Sequence, residues 1–264
     1  MSSTPIFIRG VLGSWRGLLA WAAAIVAVLL LYLPLYPSMQ TPELSQMINN
    51  LPSELVQALG YEDITSGAGY TQATFFGLIG FILIIIAAIS WGSAAIAGNE
   101  ESGQLELTLA HAVGRVQYAL ESAAALVVKV LLLGVVAFLG ITLLNGPSEL
   151  GLQADNLLAV ILAWTGLGLT AGTVALAAGA VTGKRAWAVG ASSSVVVLGY
   201  AFDALGEMNP DMEWLQPFSP YHWAFRNAPL AQGVDWGGLT LLWGLSFLLI
   251  VVSAWALARR DITG

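Results

Sequence analysis

The chain has 264 residues, 57% of them hydrophobic and 9% charged, with a mean hydropathy of +0.78; this composition excludes an ordinary soluble domain and points to an integral membrane protein. A net charge of −7, with no basic patch interleaved with aromatics, sets nucleic acid aside as a partner. With no cysteine, disulfides, thiolate nucleophiles and Cys-bearing metal sites are excluded too.

The first element is the stretch PIFIRGVLGSWRG, 5–17. At 100° per residue, Phe7, Ile8, Val11, Leu12 and Trp15 share one arc while Arg9 and Arg16 lie together beside it, the pattern of an interfacial helix on the inner leaflet. A helix needs about 20 mostly apolar residues to cross the hydrocarbon core, and six stretches qualify: 18–36, 73–97, 122–144, 156–182, 186–202 and 237–258, the fifth being the shortest. The first run is long and lacks a small-residue cleavage site behind it, so it is expected to stay as a span. In the connection after it, Thr41 with Pro42 and the stop at Gly60 predict short external helices.

Between the second and third spans lies AGNEESGQLELTLAHAVGR, from Ala97 to Arg115. Its spacing predicts an amphipathic helix over 100–116. With Leu105 as zero on a helical wheel, Leu109, Ala112 and Val116 fall within about 40° of it and Leu107 nearly opposite. Apolar residues on two faces imply a partner on each side. Glu100 and Glu101 stand near the positive helix start, and His111 and Arg115 near its negative end, as the macrodipole favours.

In the third span Lys129 is an intramembrane charge, which must snorkel, pair with a carboxylate or line a wet cavity. In the fourth, Ala171, Ala175, Gly179 and Gly183 recur every four residues, a strip that lets another helix approach closely. The adjoining GAVTGKR is not a phosphate-binding loop, because Ala178 and Arg185 stand where that motif needs Gly and Ser or Thr. Before the sixth span, 206–236 alternates aromatics with prolines, and short helices dipping into the outer leaflet are expected there.

Arg9, Arg16, Arg115, Lys184, Arg185, Arg259 and Arg260, seven of the nine basic residues, fall on one side of this topology. By the positive-inside rule both termini are cytoplasmic. The expected fold class is all-α, a single transmembrane domain over 1–264 with six transmembrane helices, an N-terminal interfacial helix, a cytoplasmic coupling helix and short external or re-entrant helices. The two histidines, His111 and His222, are expected on opposite sides, and no HExxH motif is present, so no catalytic residue is assigned.

EESGQLELTLAHAVGR resembles the first cytoplasmic loop of ABC transporter permeases of the type 2, exporter class. FSPYHW before the last span and RRDI at the chain's end are similar to that family as well. The resemblance implies that Glu100, Glu101, Gly103, Leu105, Glu106, Leu107, Leu109, His111 and Arg115 form a segment that docks on an ATPase. The sequence departs from the family pattern at Gln104, where Thr is common, at Ala112, where Pro is common, and in lacking a Lys-Glu pair in the first helix.

The resemblance implies a permease subunit in the plasma membrane, paired with a second permease and driven by two ATPase subunits. ATP and Mg would sit on the ATPase, with no cofactor or metal in this chain. The alternatives are a secondary transporter and a membrane scaffold without ATPase coupling. A secondary transporter usually shows inverted repeats and several midplane ionisable groups, whereas this sequence offers Lys129 and no clear repeat. The apolar spans and aromatic loop fit a hydrophobic drug, lipid or antibiotic as substrate, and equally fit any membrane bundle.

Overall fold

The computed structural model describes residues 5–39, 66–110 and 113–260. The expected external helices at Thr41, Pro42 and Gly60, and His111 and Ala112, lie outside them. All regular structure among the described residues is helical. Six helices, the first to sixth spans, are long and apolar enough to cross a membrane: Trp15–Ser38, Gly67–Glu101, Arg115–Asn145, Ala154–Thr182, Arg185–Met208 and Trp236–Arg259. Each contains the stretch read from the sequence and extends it, because capping and interfacial residues continue a helix beyond its apolar run.

The fourth span is the central pillar, with 83% of its most apolar window buried against 17% in the first. It packs on the second, third, fifth and sixth spans. Small residues permit this. A Cβ on Gly92 would stand 2.1 Å from the carbonyl oxygen of Gly172, so the second and fourth backbones touch. Side-chain hydroxyls tie the pillar to its neighbours: Ser192 Oγ donates to the Ala171 carbonyl at 2.7 Å, and Thr170 Oγ1 lies 3.2 Å from Ser246 Oγ. Such bonds are typical glue between spans, where apolar burial supplies little association energy.

Two apolar clusters result. The larger centres on Trp164, with the rings of Phe75 and Phe76 at 5.8 and 6.0 Å. The smaller gathers Ile96, Leu105, Tyr118, Leu176, Ala180 and Leu257 at the basal end of the bundle, with Ile6 packed against it and Arg260 nearby at the end of the sixth span.

Two expected helices are shorter than their patterns. The N-terminal helix is Pro5–Leu12 and the first span begins at Trp15, so Trp15 and Arg16 belong to the span. The break is at Gly13, where a Cβ would come within 2.5 Å of the Arg9 carbonyl oxygen. Among the described residues, the helix expected over 100–116 is broken into the end of Asn99–Glu101 and the loop helix Gln104–Leu109. Gly103 precedes it in the left-handed region at φ 71, and Gly114 is extended, so Arg115 opens the third span instead of closing the loop helix. The macrodipole pairing expected for Arg115 is therefore absent. Between the fifth and sixth spans run a 3-10 stretch, Pro210–Phe218, and two short helices, Pro220–Phe225 and Pro229–Gln232.

Candidate functional site: the basal loop and its clamp

The second span bears two π-helical stretches, Gln72–Ile79 and Ala94–Gly98, one near each end. π-helical turns free backbone carbonyls and recur at functional positions. At the basal stretch Tyr118 of the third span donates its hydroxyl to the Ala95 carbonyl at 3.0 Å and accepts from Asn99 Nδ2 at 2.8 Å. At the other, Tyr221 donates to the Gly77 carbonyl at 2.9 Å and Gln72 Oε1 accepts from the Leu230 amide at 3.2 Å. Tyr221 is half-buried beside Phe81 and Tyr200, and desolvation of its hydroxyl pushes it well above the ordinary tyrosine range.

After the basal π-helical stretch come Asn99–Glu101, the left-handed Gly103 and the loop helix Gln104–Leu109. Leu105 is fully buried in the smaller cluster and Leu109 packs half-buried against it. Burying a leucine stabilises by about 1.5–3 kcal/mol, enough to seat so short a helix. Leu107, in contrast, is 66% exposed, and Glu106 is exposed beside it. An exposed leucine alone says little. One on a helix whose other two leucines pack into the bundle is a rigidly presented apolar knob.

The acidic pair is engaged within the chain. Arg260, at the end of the sixth span, donates from Nη2 to Glu100 Oε2, and the two side chains are only 19% and 14% exposed. Arg115 Nη1, from the third span, donates to the Arg260 carbonyl at 2.6 Å. Glu101 Oε1 accepts from the Arg185 amide at 2.8 Å, which places a carboxylate at the N-terminus of the fifth span, where the macrodipole favours it. Gly183, left-handed at φ 68, closes the fourth span against the pair: a Cβ there would lie 2.2 Å from Arg260 Nη1 and 2.7 Å from Glu100 Oε1. The loop is thus fastened to the basal ends of the fifth and sixth spans, with Arg115 of the third bonded to Arg260 and Gly183 of the fourth packed against the pair. Arg260 and Arg185 are site residues that sequence reasoning did not assign, since each stands far along the chain from its partner.

Of the small-residue strip, Ala175 and Gly179 face the second span, a Cβ on Gly179 standing 3.2 Å from Ala97 Cβ, while Ala171 receives Ser192 of the fifth. Lys129 is 7% exposed, with its Nζ 5.0 Å from the ring centre of Trp91. Among the described residues no group of three or more His, Cys, Asp or Glu side chains is placed to hold a metal.

The N-terminal helix is held from outside. Glu121 Oε2, on the third span, accepts from the amides of Ile6 and Phe7 at 2.9 and 3.0 Å and so satisfies two of its free donors. Gly10 allows the close approach, since a Cβ there would lie 2.9 Å from Ala125 Cβ.

No curated protein matches the chain. The family described as ABC-2 family transporter protein matches residues 6–262, and the chain belongs to that family.

Proposed function

We propose that this ABC-2 family permease is the membrane-spanning half of an ATP-driven exporter, moved by ATPase subunits that bind the loop helix Gln104–Leu109 on the cytoplasmic side. Two ATPases would act on two permease copies or on this chain and a sister permease. Permeases of this family typically lack ATPase activity themselves, and the family implies an ATPase partner.

What carries the reading is the division of labour within the loop. Leu105 and Leu109 face the bundle, Leu107 faces away, and the acidic pair joins the loop to the fifth and sixth spans through Arg185 and Arg260, with Arg115 of the third span bonded in turn to the Arg260 carbonyl. A push on Leu107 is therefore delivered to several spans at once. In this reading Glu100 and Glu101 are the fasteners of the loop, and Leu107 with its exposed neighbours is the docking surface. The second span extends the connection, because its distal π-helical stretch is bonded to Tyr221 and Leu230 of the segment before the sixth span. Closure of the ATPases would shift this linked set between an inward-open and an outward-open arrangement.

The test is a pull-down of the cognate ATPase by tagged permease. Leu107→Asp should fold and insert normally yet lose most of the bound ATPase, since a charge then enters an apolar groove, while Leu107→Met should keep it. Full ATPase binding by Leu107→Asp would refute the assignment.

A further inference from the structure

A second feature lies beside the loop and meets it at Gln104 and Leu107, but its charged groups take no part in the docking proposed above. A cleft of about 660 Å³ opens at the basal end between the N-terminal helix, the second span and the third span, with Gln104 and Leu107 at its mouth. Its walls are helix stripes. The third span contributes Tyr118, Ser122, Ala125 and Lys129, spaced four, three and four residues apart on one face. The second contributes Trp91, Ala94, Ala95 and Asn99, and the N-terminal helix contributes Ile6, Arg9 and Gly10.

The charge in this cleft is one-sided. Among the described residues that line it are Lys129 and Arg9 and no Asp or Glu, in a chain whose acidic residues outnumber the basic by 16 to 9. Lys129 is more than nine-tenths buried, yet among the described residues it has no hydrogen-bond or ion-pair partner. The Trp91 face below its Nζ is worth at most about 2 kcal/mol, well short of the several kcal/mol that burying an ammonium costs. The geometry leaves that charge to a ligand.

The volume falls in the range of about 300–1,000 Å³ typical of small organic ligands and is far more than a bare anion requires. Apolar side chains of Ile6, Trp91, Ala94 and Ala125 surround the cations, so the occupant must carry both a negative group and apolar substance. Depth agrees. Lys129 stands ~21 Å along the third span from Arg115 at 1.5 Å per residue. The whole span is ~46 Å long, about 15 Å more than the hydrocarbon. With its Asn145 end flush with one membrane surface, Lys129 lies roughly one turn inside the other boundary, within reach of a phosphate drawn slightly inward.

We propose that this cleft holds the phosphate-bearing headgroup of an anionic phospholipid, with Lys129 and Arg9 as its counter-ions and the N-terminal helix as its outer wall. The Glu121 carboxylate fastens that wall in place by accepting from Ile6 and Phe7. Lipid binding thereby orders the helix against the third span next to the loop.

The experiment tracks the melting midpoint of the purified full chain in detergent as lipid is titrated. Phosphatidylglycerol, phosphatidylcholine with the same acyl chains, and soluble glycerol 3-phosphate are compared. Phosphatidylglycerol should raise the midpoint saturably and phosphatidylcholine should not. Lys129→Met should weaken the apparent affinity by a factor of about 10 to 100, Arg9→Gln by less, and Lys129→Arg should restore most of it. An unchanged response in Lys129→Met, or equal shifts from the two lipids, would overturn the proposal. A lysine-dependent shift with glycerol 3-phosphate as large as that with lipid would place a free anion in the cleft and overturn the lipid assignment. Should Lys129→Met not survive purification, Arg9→Gln is judged by the same criteria.

Discussion

Removing the carboxylate that joins the loop to the sixth span should uncouple the protein without undocking its partner. In Glu100→Ala the Arg260 guanidinium loses the one carboxylate it meets among the described residues, where its Nε already has no hydrogen-bond partner. An exposed ion pair is worth about 0–1 kcal/mol, and breaking a buried one costs about 3–5 kcal/mol. With both side chains more than four-fifths buried, the pair stands nearer the second limit. Its place at the basal end lets the freed guanidinium turn toward water, which lowers the cost to about 2 kcal/mol. For a chain of this size that is a fall of about 4–8 °C in melting midpoint. A double-mutant cycle with Glu100→Gln and Arg260→Gln should return a coupling of about 1–2 kcal/mol, against the ~0.5 kcal/mol within which independent sites add. Purified Glu100→Ala should also bind the ATPase as wild type does, because Leu107 is untouched, while permease-stimulated hydrolysis drops. Additive single variants, or loss of ATPase binding in Glu100→Ala, would refute the clamp and return Glu100 to the docking surface.

Three further outcomes are expected. The chain has no native cysteine, so Glu213→Cys should react with an impermeant thiol reagent applied outside intact cells and Gln104→Cys should not; labelling of Gln104→Cys would reverse the orientation. Glu121→Ala should release the N-terminal helix at a cost of about 1–2 kcal/mol, the scale of a lost charged cap, seen as faster thiol labelling of Ile8→Cys than in the Glu121 background. At the distal end, the hydrogen bond from Arg226 Nε to Asp235 Oδ2 at 2.6 Å holds the Asp235 carboxyl below the usual range, so its stabilisation is present above the ordinary carboxylate pKa and lost as pH falls through the lowered one. The melting deficit of Asp235→Asn should then be constant near neutral pH and shrink only under strongly acidic conditions.

The spans were legible because a run of about 20 apolar residues has few alternatives, and the loop was legible because its charges interrupt that apolarity. The loop's internal geometry was not. A wheel drawn through 100–116 assumes an unbroken helix, but Gly103 takes a left-handed conformation and Gly114 an extended one, which no periodicity records. The wheel still separated Leu105 and Leu109 from Leu107, because all three lie within the stretch that is helical. The clamp was hidden for another reason: Glu100 and Arg260 are 160 residues apart, and nothing in either neighbourhood names the other. The role of Glu121 likewise has no local sign in the sequence, since only the fold brings Ile6 and Phe7 to it. Lys129 was visible as an anomaly, but the cleft it faces exists only once three helices are assembled.

The central claim, that this permease transmits ATPase work through the loop helix, is tested most directly by titrating the purified cognate ATPase with reconstituted permease and measuring ATP hydrolysis. The account expects saturable stimulation by wild type, none by Leu107→Asp and normal stimulation by Leu107→Met. Hydrolysis that ignores the permease, or that Leu107→Asp stimulates as well as wild type, would contradict it.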